Sequence, residues 1–136
     1  MAVPHPLGAM TTLRDHERLA HLDVEFFELL VLDGDDIKGL EALLSRDERC
    51  RIVHAPEKML VNGQRELIDL ADEDDERRKM FVDRVNDVSS MAASLGIPTV
   101  IHPGGVRNEP IDGTELRSSL TTFIDFREGG NEGINI

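Results

Sequence analysis

The chain has 136 residues, 40 % of them hydrophobic, which is enough for one domain with a core of its own. Its formal net charge of −12 disfavours a broad basic surface for nucleic acid. One cysteine allows no intrachain disulfide, and the absence of Trp and Tyr weakens any case for stacking bases or sugars on aromatic platforms. No apolar run approaches the ~18 residues needed to span a membrane, and the N-terminus lacks a charged-then-apolar leader. A cytoplasmic protein with no membrane partner is expected.

Residues 1–12 carry little pattern, and Pro4 and Pro6 exclude a regular central strand there. Leu13, Leu19, Ala20 and Leu22 predict a helix over 13–22, with Thr12 as a cap. His16 and His21 fall in this helix at a spacing that suits no shared ligand, so both are expected on the surface. The apolar run from Phe26 to Leu32 predicts a buried parallel strand, closed by the turn Asp33-Gly34-Asp35. Ile37, Leu40, Leu43 and Leu44 recur at helical spacing. After a polar turn comes the strand Arg51 to His54, opened by Cys50, which is expected to pack rather than react.

A long connection runs from Ala55 to about Ala71, and connections of this length are usually functional or carry a small element. The acidic run Asp72 to Glu76 suits the positive end of a helix dipole and reads as a solvated helix start. Phe81, Val85, Val88, Ala92 and Leu95 form a single apolar stripe, which Gly96 and Pro98 terminate. The strand Ile97 to His102 follows, then a loop through Pro110. Leu116, Leu120, Phe123 and Ile124 predict another helix, and Gly133 to Ile136 the start of another strand.

This alternation predicts an α/β fold of parallel β/α repeats with right-handed crossovers, one unit over residues 1–136. A doubly wound sandwich and a partial (β/α)8 barrel of about four to five βα units both fit. Two features favour the barrel: the first helix has almost no strand before it, and the last strand has no helix to cover it. On that reading the chain is a truncated product or part of a longer one, and its open apolar edges favour a homo-oligomer.

Two strands end alike. Arg51-Ile52-Val53-His54-Ala55-Pro56 and Thr99-Val100-Ile101-His102-Pro103-Gly104 each carry a histidine where the strand gives way to a loop. Pro103 biases His102 towards extended backbone at the strand's last position. A strand-end histidine taken alone is usually a hydrogen-bonded structural residue. Two of them on adjacent parallel strands, about 4.8 Å apart, could share one divalent metal. Zinc or manganese suits such nitrogen and oxygen ligands, with magnesium as a third option. Glu57, three residues beyond His54, is a candidate for the same mouth as ligand or substrate contact. Glu109 and Asp112 are looser carboxylate candidates, and His5 could reach the mouth from the first loop. Gly104 and Gly105 could shape a phosphate nest, and Arg107 could hold a phosphate or carboxylate.

These two strand ends resemble the xylose isomerase-like TIM barrels, a superfamily of sugar and sugar-phosphate isomerases and epimerases that also includes the endonuclease IV type of apurinic endonuclease. The resemblance covers about Leu13 to Ile136. In the endonuclease branch the histidines matched by His54 and His102 bind zinc, and a glutamate ligand follows the next strand. Here that strand is Gly133 to Ile136, where the chain ends. The endonuclease branch has an aromatic residue and then Asn near Glu57, where this chain has Glu57-Lys58-Met59. With the acidity and scarce aromatics, this places apurinic endonuclease behind the isomerase reading; a non-catalytic α/β module is the other alternative. The resemblance implies a metal-dependent isomerase or epimerase with a sugar or sugar-phosphate substrate, its proton-moving base lying in later strands.

Overall fold

The computed structural model describes residues 5–104. They form a four-stranded sheet, a two-stranded hairpin and three helices. The sheet strands are β1 (Gly8–Thr12), β2 (Phe26–Leu30), β3 (Cys50–His54) and β6 (Thr99–Val100), and the hairpin is β4 (Lys58–Val61) with β5 (Gln64–Leu67). The helices are α1 (His16–Leu19), α2 (Ile37–Arg46) and α3 (Asp75–Ser94).

All sheet neighbours are parallel and the order is β1-β2-β3-β6, which follows the chain with no reversal. Phe27, Leu29 and Val31 share a buried core with Leu40, Leu43 and Leu44 of α2 and with Val88, Met91 and Ala92 of α3. Leu19 of α1 packs against the same core, so all three described helices cover one face of the sheet. A doubly wound sandwich reverses its strand order and covers both faces. Strands that advance in one direction under helices on one side are instead the pattern of a closed barrel's wall.

Alternation along the strands assigns the second face. Leu30 pairs with His54 and His54 with Val100, whereas the core residues Leu29 and Val53 pair with each other one position earlier. Thr12, Leu30, His54 and Val100 therefore line one register across the face that no described helix covers.

Two expectations from the sequence are corrected. A strand does precede the first helix: β1 lies beside β2 at one side of the described sheet, beyond both prolines. Its sequence Gly-Ala-Met-Thr-Thr has no apolar alternation to announce it. The helix predicted over 13–22 shrinks to the single turn of α1. Its freed carbonyls are taken instead by Arg49, whose guanidinium donates to Ala20 O at 3.0 Å and Leu22 O at 3.3 Å.

The long connection after β3 holds the β4–β5 hairpin. Asn62 at φ 50° and Gly63 at φ 79° supply the two left-handed residues of a tight turn that matches strand twist. Val61, Ile68 and Leu70 pack with Ala55 and with Phe81 and Val85 of α3 in a second core. Leu60 N donates to Asp33 Oδ2 at 2.8 Å, tying the hairpin to the loop after β2. Leu70 N donates to Pro103 O at 3.1 Å, tying it to the loop after β6. The hairpin thus sits at the carboxyl edge of the sheet. The acidic run is more than a solvated start: Asp74 caps α3 by accepting from Arg77 N at 2.9 Å, and Arg77 pairs with Glu66 of β5 and with Asp72. The helix expected around Leu116 and the strand at Gly133 lie outside the described residues.

Candidate metal centre

His54 is the last residue of β3 and is buried, while His102 lies two residues beyond its register partner Val100 and is half exposed. Parallel pairing sets the two rings side by side, with centroids 4.8 Å apart. The first residue of the hairpin approach, Glu57, brings a carboxylate to the same point. His54 Nε2 is 3.0 Å from His102 Nε2, and Glu57 Oε1 is 3.3 Å from His102 Nε2 and 3.7 Å from His54 Nε2. Ile68 N donates to Glu57 O at 2.8 Å, so the hairpin's return strand fixes the backbone that carries this carboxylate.

The other ring nitrogen of His54 settles its chemistry. Nδ1 lies 2.9 Å from Ala55 O. A carbonyl only accepts, so Nδ1 is the nitrogen that donates there, and in the neutral ring the lone pair is then on Nε2. That lone pair points at His102 and Glu57. Atoms each ~2.0–2.1 Å from a tetrahedral zinc stand roughly 3.3 Å apart, and the three observed separations bracket that figure. Two imidazoles and a carboxylate, with the outer nitrogen of one histidine held by a carbonyl, could hold a divalent ion and leave a position open to solvent.

A cavity of about 280 Å³ adjoins this group and includes Glu57 in its wall, together with Leu30, Asp33 and Lys58. Gly104 is exposed, and a Cβ there would stand 2.9 Å from Asp69 Oδ1, so the loop after β6 passes close to the segment after the hairpin. Gly105, Arg107, Glu109 and Asp112 lie outside the described residues. His5 is exposed.

A second group, His16, Asp47 and Cys50, lies near the amino end of the sheet. His16 is buried rather than exposed, with its ring edge-on to Phe27 and Nε2 2.9 Å from Asp47 Oδ2. Nothing in the helical spacing signals this, because the partner is 31 residues away. Arg49 donates from Nε and Nη2 to the same carboxylate, and this holds Asp47 at about 2. Burial pushes the Cys50 thiol up to about 11, so it sits there as a packed neutral thiol. Asp47 already has two partners and the thiol is disfavoured as thiolate, so this group reads as a structural brace.

No family model matches this sequence, and no curated protein matches it at significance. Among solved structures it is similar to one titled a D-tagatose 3-epimerase-like protein, with a TM-score of 0.59 and 19 % identity over 93 % of this chain. The match covers 51 % of that chain, so this chain spans about half its length. The fold is α/β, parallel strands alternating with helices as in part of a (β/α)8 TIM barrel. No described helix is long and apolar enough to cross a membrane.

Proposed function

We propose that this chain carries part of the active site of a metal-dependent isomerase or epimerase that acts on a sugar or sugar phosphate. The observation that carries the reading is the convergence of His54 Nε2, His102 Nε2 and Glu57 Oε1 at the carboxyl edge of a parallel sheet. That edge is where barrel enzymes gather their chemistry. The similar structure is itself described as epimerase-like, which supports the same class.

His54, His102 and Glu57 would hold the ion, zinc or manganese by donor type. Bound there, a divalent cation supplies Lewis-acid stabilisation for the oxygen of a carbonyl or enediolate. The chain's own contributions are positional. The Ala55 carbonyl keeps the His54 lone pair aimed outward, and the β4–β5 hairpin sets Glu57 against His102 and forms one wall of the adjoining cavity. Nucleic acid remains the weaker partner, because a chain of net charge −12 gains little from a phosphate backbone.

Epimerisation beside a carbonyl removes and returns a carbon-bound proton, so it exchanges that proton with solvent. The test incubates the manganese- or zinc-loaded full-length protein, with the later strands that would carry the base, in D₂O with a panel of ketoses and ketose phosphates, read by NMR. Metal-dependent deuterium incorporation next to the carbonyl, lost in His54→Ala, is the expected result. Exchange that ignores metal and His54, or cleavage of an abasic duplex instead, overturns the reading.

A further inference from the structure

The cavity beside the metal group carries three cations: Arg14 from the loop after β1, Lys58 opening β4 and Arg65 in β5. In a chain of net charge −12 such a grouping needs a reason. Five other basic residues, Arg18, Arg49, Arg77, Arg78 and Lys79, each pair with a carboxylate, and Arg84 donates to backbone carbonyls. The side chains of Arg14, Lys58 and Arg65, all exposed, make no hydrogen bond or ion pair with the described residues. The hairpin register pairs Lys58 with Leu67 and Arg65 with Leu60, so alternation puts both cations on the same face as diagonal neighbours. Like charges so placed repel weakly across solvent, and an anion between them would turn that repulsion into attraction.

The acids in the wall do not fill that role. Asp33 accepts the Leu60 amide at 2.8 Å, and Glu57 faces His102 at 3.3 Å. The cavity's ~280 Å³ is just under the ~300 Å³ where small-ligand sites begin, about right for a short phosphorylated chain. Planar guanidinium groups match phosphate oxygens, and a lysine adds a mobile point charge.

We infer that Arg14, Lys58 and Arg65 form a subsite for the phosphate of the substrate, which makes that substrate a sugar phosphate rather than a neutral sugar. The inference rests on the proposed function for the word substrate; the anion site itself rests on the cavity and its cations. Glu57 belongs to both groups, so a ligand anchored at the cations would extend towards the metal group.

The test titrates inorganic phosphate into the metal-free protein, followed by amide NMR, and repeats it with the exposed-residue double variants Arg14→Gln/Arg65→Gln and Arg14→Lys/Arg65→Lys. Saturable shifts at residues 14, 58 and 65 are expected. The Gln variant should raise the phosphate Kd at least ten-fold, the Lys variant should retain most binding, and zinc uptake should be unchanged in both. No saturable shift, or equal affinity in the Gln variant with unaltered melting, overturns the subsite. Zinc uptake without phosphate binding sinks this inference alone. Phosphate binding without zinc uptake sinks the proposed function and leaves the anion site standing.

Discussion

His54 and His102 present their Nε2 atoms to each other at 3.0 Å across 48 residues of chain. The approach follows from register: His54 is paired with Val100, and His102 stands two residues further out on the same side. The proposed shared ion would need both histidines. His102→Ala should weaken zinc binding by more than the ~10–100-fold that loss of an outer partner costs, read by calorimetry. Its side chain is half exposed, so the metal-free stability should change by less than ~0.5 kcal/mol in urea unfolding.

Glu57 depends on the hairpin, and the hairpin depends on its turn. Gly63 sits at φ 79° with open space around it, so backbone conformation and not crowding decides a substitution there. Gly63→Val should cost about 1–2 kcal/mol in urea unfolding. It should also weaken zinc binding, because Ile68 N holds the Glu57 carbonyl from the hairpin's far side.

Asp47 gives a pH signature. Its hydrogen bond from Arg49 first, and from His16 as a smaller contribution, keeps the carboxyl at about 2 against an ordinary 3.8. The folded value lies below the unfolded one, so the ionised carboxylate stabilises the fold above pH ~4. That contribution is lost as pH falls from about 4 towards 2. Asp47→Asn should lower stability at pH 7 by about 2 kcal/mol and flatten the acid loss between pH 4 and 2, followed by denaturant unfolding.

Cys50 should be silent. Buried and with its thiol at about 11, it should resist a thiol reagent at pH 8 in the folded protein and react only on unfolding. Cys50→Ala should leave zinc uptake unchanged, which separates the carboxyl-edge group from the His16 cluster.

The central elements were legible because their residues carry period. Phe26–Leu30 is a mostly apolar run, α2 and α3 show clear stripes, and His54 ends β3 as its sequence suggests, whereas β6 stops at Val100 and leaves His102, expected as the strand's last residue, two residues beyond it. The hairpin is legible beyond the small element that the length of the connection implies: Val61-Asn62-Gly63-Gln64 is a strong short-range turn signal between two extended segments. Strand β1 was not legible, since Gly8–Thr12 is held by pairing with β2 and by the burial of Thr11, neither of which leaves a sequence pattern. The burial of His16 and the cation-lined cavity were equally hidden. Both join residues from segments distant in the chain, and only the assembled sheet brings Arg14 to the hairpin that carries Lys58 and Arg65.

The most direct measurement is X-ray absorption at the zinc edge on the protein loaded with one equivalent of zinc. The account requires two imidazole nitrogens at ~2.0–2.1 Å and carboxylate oxygen at ~2.0–2.2 Å, with the imidazole signal reduced in His54→Ala. A sulfur ligand at ~2.3 Å, which would place the ion at Cys50, or failure to retain zinc at all, would contradict it.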